Sequence, residues 1–260
     1  MGEKLAAITE HFASGNSFIH RIDPRIRLIC GALLTIPLAI LNSQPPALLG
    51  LAFGTLLIFM ARLKLTQVLK RLMVVNTFIL FLWVFLPFSL PGNALWSIGP
   101  FNATTQGVDL ALLISIKSNA IVLALMALMG TISVQNLGPA IQQLGINHKL
   151  CHILLFTYRY IFVIHQEYMT MRTAMQARGF KPKTNAHTYR SYAWLVGMLL
   201  VKSWDRAERV QGAMRCRGFH GRFYSLTEFS TKSTDFIFLA ICLLFAARII
   251  QLGFFPGALP

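Results

Sequence analysis

The chain has 260 residues, with 24 Lys and Arg against 9 Asp and Glu, 55% apolar residues and only 13% charged ones. A soluble domain carries about 25% charged residues, so roughly half of the usual water-facing charge is missing and the sequence reads as an integral membrane protein. The same figures exclude a disordered chain, a disulfide scaffold and a coiled coil, and four scattered cysteines, Cys30, Cys151, Cys216 and Cys242, define neither a disulfide framework nor a zinc site.

Residues 1–20 contain Glu3, Glu10, His11, Gly15 and Asn16 and no apolar core of the kind a cleaved signal peptide needs, so the N-terminus is expected to stay in the cytoplasm. Residues 28–61 are then free of charge. As one helix this run would be about 51 Å long, well past the roughly 30 Å of a bilayer's hydrocarbon core, so it must fold back. Asn42-Ser43-Gln44-Pro45-Pro46 supplies the break, since proline lacks a donor and pushes the residue before it out of the helical region. Two short spans are predicted, at 26–41 and 47–61. The next uncharged run, 72–108, starts as a third span up to Ser89 and dissolves into Pro91-Gly92, Gly99-Pro100 and Gly107, which reads as an irregular external loop. A fourth span covers 108–131 with Lys117 near its middle. A fifth covers 236–255, with Thr234 or Asp235 as its N-cap and Arg248 close enough to the far end to snorkel. Arg21, Arg25, Arg27, Arg62, Lys64, Lys70 and Arg71 then all fall on the cytoplasmic side, while 42–46 and 90–107 carry no Lys or Arg, as the positive-inside rule requires.

Residues 134–233 stand apart, with 14 of the 24 basic groups and 4 of the 9 acids. They read as a basic cytoplasmic insert, apolar enough to pack against something, whose cations could also face anionic lipid headgroups. Leu150, Leu154, Thr157, Ile161, Ile164, Tyr168, Met171 and Met175 recur at steps of three and four and describe one seam of a long helix. Val196, Leu200, Ser203, Ala207, Val210 and Met214 describe a second. Both helices end in nearly the same words, Ala174-Met175-Gln176-Ala177-Arg178-Gly179-Phe180 and Ala213-Met214-Arg215-Cys216-Arg217-Gly218-Phe219, 39 residues apart with five of seven positions identical. Gly179 and Gly218 are read as C-terminal stops. Arg178 and Arg217 fall in the last turn, where the helix dipole favours a cation by about 0.3–1 kcal/mol. Well-terminated helices account for each motif singly but not for the duplication. Two equivalent tips, each with a guanidinium's fixed fork of donors, suit a two-fold symmetric partner that presents two acidic grooves.

These residues resemble the transmembrane T component of energy-coupling factor (ECF) transporters, in particular its cobalt/nickel, CbiQ-like group. The family's mark is a pair of Ala-Arg-Gly motifs at the ends of two cytoplasmic coupling helices. Here they read Ala177-Arg178-Gly179 and Cys216-Arg217-Gly218, and cysteine for alanine is a small-for-small change that leaves the arginine and the cap in place. Gly15-Asn16-Ser17-Phe18-Ile19-His20-Arg21-Ile22-Asp23-Pro24-Arg25 resembles the Gly-Asn-Ser-x-x-His-x-x-Asp-Pro-Arg lead-in of the metal-uptake group, and Arg217-Gly218-Phe219-His220-Gly221 resembles its second motif. The likeness runs from about Phe12 to Gly221, and the last span is matched by hydrophobicity alone. It implies a multi-pass coupling subunit in the plasma (inner) membrane, joining two ATPase subunits (a homodimer or a heterodimer) on the cytoplasmic side to a substrate-binding membrane subunit. Cobalt is the implied cargo, with nickel second, possible use being the supply of cobalamin biosynthesis; a T component for vitamin uptake is the alternative. In that scheme Arg178 and Arg217 sit in the ATPase grooves, and Ala177, Gly179, Cys216 and Gly218 keep the tips narrow enough to enter.

The predicted organisation is therefore an all-α integral membrane protein: a cytoplasmic lead-in at 1–25, four transmembrane helices at 26–133, a cytoplasmic coupling domain of two long amphipathic helices at 134–233, and a last transmembrane helix at 234–260. No Gly-x-x-x-x-Gly-Lys-Ser/Thr loop occurs, so ATP hydrolysis is expected in partner subunits and no cofactor is expected here. Asp205-Arg206-Ala207-Glu208 and the isolated Asp109 are too few acids for the magnesium-diphosphate site of a membrane prenyltransferase. The sequence pI of 10.3 is accounted for by membrane orientation and the insert, which removes nucleic acid as a partner. His148 and His152, with Cys151 between them, have no third ligand nearby, so no metal site is expected, and His20 and Asp23 are read as part of the approach to the first span. Lys117, inside a span, needs a partner or a watery cavity. It is a contact with the substrate-binding subunit, an internal hydrogen-bond anchor, or a side chain snorkelling along a short helix. A stand-alone secondary transporter is the competing class, and it needs several intramembrane polar or acidic groups that this sequence almost entirely lacks.

Overall fold

Residues 15, 17–89, 94–98, 101–219, 221 and 229–254 are described by the structure, a computed structural model. Asn16 and His220 of the quoted motifs, parts of the loop expected at 90–107, and the end of the last span at Phe255 lie outside the described residues. The elements in chain order are α1 (Phe18–Arg21), α2 (Pro24–Ile40), α3 (Gln44–Ala61), α4 (Leu65–Ser89), β1 (Ala94–Ile98), β2 (Phe101–Thr104), α5 (Thr105–Leu128), α6 (Val134–Gln143), α7 (His148–Ala177), α8 (Ala186–Cys216) and α9 (Ser233–Phe254).

Among the described residues, four helices are long and apolar enough to cross a membrane: α3, α4, α5 and the Ser233–Gly253 stretch of α9. The first expected span is also a helix, α2, but its 17 residues extend only about 25 Å and include Arg25 and Arg27 in the first turn. The predicted break falls at Leu41 to Ser43, and Pro45 and Pro46 lie in the first turn of α3. They open that helix as well as ending the previous one, because a first-turn proline gives up an N–H that has no helical acceptor. The span expected from 72 begins earlier, at Leu65, so Lys70 and Arg71 are helical. The segment expected to be an irregular loop contains an antiparallel two-stranded ribbon, with Ile98 opposite Phe101 and Ala94 opposite Thr104. Its strands are rich in aromatic and branched residues, which favour an extended backbone.

The chain divides into two compact units. In the first, Phe12–Ala140 with Phe229–Pro260, α5 packs against α2, α3 and α4, and α9 packs against α2 and α3. The buried cluster includes Ile19, Cys30, Leu34, Leu57, Leu128 and Cys242. Gly54 permits the close α3–α5 approach, since a Cβ there would lie 3.1 Å from Leu123 Cβ and 3.2 Å from the Ala120 carbonyl oxygen. The buried charges Asp23 and Arg27 are each bonded through part of the side chain, Asp23 Oδ2 and Arg27 Nε having no hydrogen-bond partner among the described residues. The Arg27 guanidinium donates to both the carbonyl (3.2 Å) and the hydroxyl (3.1 Å) of Thr131. The Asp23 carboxylate accepts the Arg25 N–H at 3.0 Å and caps α2. Asp235 is not the N-cap expected for the last helix. It lies within the first turn and reaches back to the Lys232 N–H at 2.9 Å, as the third residue of a capping box does.

The second unit, Ile141–Glu228, is built on α7 and α8, 30 and 31 residues long. Each is about 45 Å of helix. Asn147 caps α7 by accepting the Lys149 N–H at 3.0 Å. Five of the fourteen expected seam residues line one cleft: Ile164 of α7 meets Ser203, Ala207, Val210 and Met214 of α8 around a volume of about 280 Å³. Of the other seam residues, Tyr168, Met171 and Met175 are half-buried, while Leu150, Leu154, Ile161, Val196 and Leu200 stay exposed. The contact is local because α7 and α8 run past each other instead of zipping along their length.

Candidate functional site

Both repeated motifs end a helix by the same hydrogen-bond pattern. At the end of α7 the Phe180 N–H donates to the Met175 carbonyl at 3.1 Å and the Gly179 N–H to the Gln176 carbonyl at 3.0 Å. At the end of α8 Phe219 donates to Met214 at 3.1 Å and Gly218 to Arg215 at 3.0 Å. This is a Schellman cap, which needs a left-handed residue just after the helix. Gly179 and Gly218 supply it, with φ of +80° and +74°. Arg178 and Arg217 occupy the C-cap positions, with nearly equal backbone angles. The exposure pattern repeats too: Met175 and Phe180, like Met214 and Phe219, are half-buried, while Ala177, Arg178 and Gly179, like Cys216, Arg217 and Gly218, are exposed. The buried methionine and phenylalanine brace the turn, and the small-Arg-Gly triplet projects.

The relation between the tips follows from what joins the helices. Glu167 of α7 accepts hydrogen bonds from Lys202 at 3.0 Å and Arg206 at 2.6 Å of α8. Phe156 and Tyr160, further back along α7, share their cleft with Val210 and Met214, further forward along α8. The two helices are thus antiparallel, as a connection of eight residues, 178–185, leads one to expect. Glu167 and Arg206 are 39 residues apart, the period of the repeat, and each lies eleven residues before its tip arginine. Equivalent positions that touch each other mark a local two-fold axis. The Arg178 and Arg217 tips accordingly lie at opposite ends of the pair, each about 16 Å of helix from that axis.

Sequence reasoning found the tips and missed Glu167, Lys202 and Arg206. The signal was present, since a carboxylate and a guanidinium stood one repeat apart. The two cations hold the Glu167 carboxyl below the usual carboxylate range, Lys202 contributing most.

Lys117 lies in α5 of the first unit. Its ammonium donates to the Leu41 carbonyl at 3.0 Å and the Asn42 side-chain oxygen at 3.3 Å, at the end of α2, where a cation meets the negative end of the helix dipole. Asn76 and Asn119 exchange amide hydrogen bonds of 3.2 and 3.0 Å, and Trp83 donates to Ser115 at 2.8 Å, so α4 and α5 are also joined by polar side chains. His20 bonds Ser17 at 2.6 Å and Asp23 caps α2, which accounts for both locally. The rings of His148 and His152 stand edge to face with centroids 6.3 Å apart. Among the described residues no group of three or more His, Cys, Asp or Glu is placed to hold a metal ion.

Comparison with known proteins adds an independent line. The family model described as CbiQ, cobalt transport protein, matches residues 15–228. The chain belongs to this family. The match takes in both arginine tips and all of the approach to α2, close to the limits expected from the motifs. Among curated proteins, the CbiQ-family chain is similar to the energy-coupling factor transporter transmembrane protein EcfT of Streptococcus equi subsp. equi, at 27% identity over 91% of this chain and 93% of that protein. It is similar to the protein of the same name from Streptococcus thermophilus, at 27% identity over 82% and 85%. It also resembles a putative ABC transporter ATP-binding protein of Bifidobacterium longum, at 23% identity over 96% of this chain but 34% of that longer protein.

Proposed function

We propose that this chain is the membrane-embedded coupling subunit of an ATP-driven uptake transporter of the energy-coupling factor type. The cargo is cobalt, or nickel, and one use is the supply of cobalamin biosynthesis. The subunit lies in the plasma membrane with its N-terminus in the cytoplasm. Its lead-in at 1–25, its spans at 26–133 and 234–260 and its coupling domain at 134–233 divide the work. The spans hold a separate substrate-binding membrane subunit, and the coupling domain docks on two ATPase subunits. Cobalt rests on the family description, and ATPase partners are supported by the similarity to part of a longer chain named for ATP binding.

The observation that carries this reading is the pair of identically capped tips related by a local two-fold. A dimer of ATPases offers two equivalent grooves about its own two-fold axis, and Arg178 and Arg217 present one guanidinium to each. When ATP draws the ATPase subunits together, the grooves move, and two stiff helices clamped at Glu167 convert that movement into a change of angle transmitted to the membrane spans. The exposed apolar flank of α7 and α8, including Leu150, Ile153, Leu200 and Trp204, supplies further surface for partner subunits. Lys117 serves as an internal anchor.

The test is co-expression with the ATPase and substrate-binding subunits followed by ATP-dependent cobalt uptake in vesicles. The reading requires co-purification with two ATPase subunits and no uptake without them. Uptake by the isolated chain would instead identify a stand-alone transporter.

A further inference from the structure

Arg62, the C-cap of α3, has φ +50° and ψ +40°. It is the one non-glycine residue at positive φ among the described residues. Glycine or asparagine takes this conformation with less strain, so the side chain retained here invites a role beyond ending the helix. Its neighbourhood supplies one. Arg62 and Arg21, the last residue of α1, line a cleft of about 450 Å³ with Ser17, Phe18, Phe59 and Met60. No acid lines it, and neither guanidinium has a hydrogen-bond or ion-pair partner among the described residues. Among the described residues, nothing neutralises the two cations that share this cleft.

A second, more apolar groove of about 660 Å³ begins at the same two residues, Phe59 and Arg62, and continues between α3 and α4 past Ile58, Leu65, Val68 and Leu69. Both volumes fall within the roughly 300–1,000 Å³ that small-molecule ligands fill. Arg62 immediately follows a membrane-crossing helix, and Phe59, 85% exposed, faces outward beside it. The arrangement is a charged cleft at the membrane–water boundary opening into an apolar trough on the hydrocarbon side.

We propose that Arg21 and Arg62 bind the phosphate of an anionic phospholipid whose acyl chain lies in the groove between α3 and α4. A guanidinium's fork matches phosphate oxygens. Two uncompensated cations select a headgroup with net negative charge over a zwitterionic one, whose own cation would lie beside them. The apolar groove distinguishes a lipid from a soluble phosphate. Bound there, the lipid fastens α1 to the α3–α4 corner.

The test is native mass spectrometry of the full chain purified in mild detergent and equilibrated with equal amounts of phosphatidylglycerol and phosphatidylcholine. Phosphatidylglycerol should be retained preferentially, and Arg21→Gln or Arg62→Gln should each lower its retention roughly fivefold, leaving phosphatidylcholine unchanged. Arg62→Gly guards against misfolding: it relieves the left-handed strain, so the melting temperature in lipid-free detergent should hold or rise while phosphatidylglycerol is lost. Leu69→Trp, at an exposed position that lines the groove, should fill it and also displace the lipid. Equal retention of the two lipids, or unchanged phosphatidylglycerol retention in the Arg21→Gln/Arg62→Gln double variant, would overturn the proposal. So would displacement of the lipid by inorganic phosphate together with no effect of Leu69→Trp, which would mark an anion site without a lipid chain.

Discussion

The membrane unit and the coupling unit use their residues in opposite ways. In the first, helices close around a continuous apolar cluster, and the polar groups that enter it find acceptors in the same unit: Arg27 on Thr131, Lys117 on Leu41 and Asn42. In α7 and α8 only Cys151, Thr188 and Leu195 are buried. Two helices of this length with so little interior derive their stability from intrinsic helix formation, two caps and one ion cluster. They leave an apolar surface open, including Leu150, Ile153, Leu200 and Trp204. The membrane unit is a finished packing problem, whereas the unit built on α7 and α8 leaves most of its apolar side chains uncovered.

That contrast says where substitutions should act. The largest effect is expected at the tips, where among the described residues no ion pair involves either arginine. Arg178→Glu or Arg217→Glu should leave expression and melting temperature unchanged but reduce ATP-dependent uptake about thirtyfold or more, the consequence of losing roughly 2 kcal/mol or more at a buried charge pair. Normal uptake with both arginines reversed would remove the tips from the mechanism. In the membrane unit the order is inverted. Arg27→Leu should cost about 3 kcal/mol of stability, because it deletes two buried hydrogen bonds and one of the cations near the buried Asp23 and Asp235, leaving Asp23 only the Arg25 guanidinium at 3.8 Å. Thermal unfolding in detergent measures this, and an unchanged midpoint would show that the cluster is dispensable.

Gly179→Val and Gly218→Val fall between these cases. A Cβ at either position meets nothing within 4 Å, so the cost is purely conformational, about 1–2 kcal/mol for a side chain held in the left-handed region. Amide hydrogen exchange at Phe180 and Phe219 should quicken as the caps loosen, while asparagine at the same positions should be tolerated. Equal exchange in the valine variants would mean that the left-handed turn is not what fixes the arginines.

The sequence was legible where one local rule decided the outcome. Uncharged runs located four helices long and apolar enough to cross a membrane and a shorter first helix, and Pro45 and Pro46 located the break between the first two, although not their place inside the first turn of α3. Glycine after a helical seam located both caps. The β1–β2 ribbon was missed because two short extended segments around Gly99-Pro100 carry a weaker signal than the glycines and prolines beside them. The acceptor of Lys117 was invisible because it is a backbone carbonyl 76 residues away, which no side-chain pattern encodes. Glu167 belongs between these cases: its repeat-equivalent partner could be read from the 39-residue period, but only antiparallel packing makes equivalent positions meet.

The smallest predicted effect separates the two units by pH. Lys202, then Arg206, holds the Glu167 carboxyl below its ordinary value of 4.5. A carboxyl with a depressed folded-state value is bound fully above its unfolded value and released as pH falls through the lower, folded one. The clamp is therefore intact from neutral pH down to about 5 and loosens below about 4.5. Spin labels placed beyond the two tips should report a fixed separation above that range and a broadened one below it. Glu167→Gln should give the broadened distribution at every pH. Exchanging the charges, Glu167→Arg with Arg206→Glu, should restore the narrow one, because Lys202 can then pair with the new carboxylate on its own helix and the cross-helix pair is re-formed in reverse. A separation that ignores both pH and the Glu167→Gln change would show that helix packing alone sets the angle between the tips, and the two-fold centre would then be a coincidence of register and not a pivot.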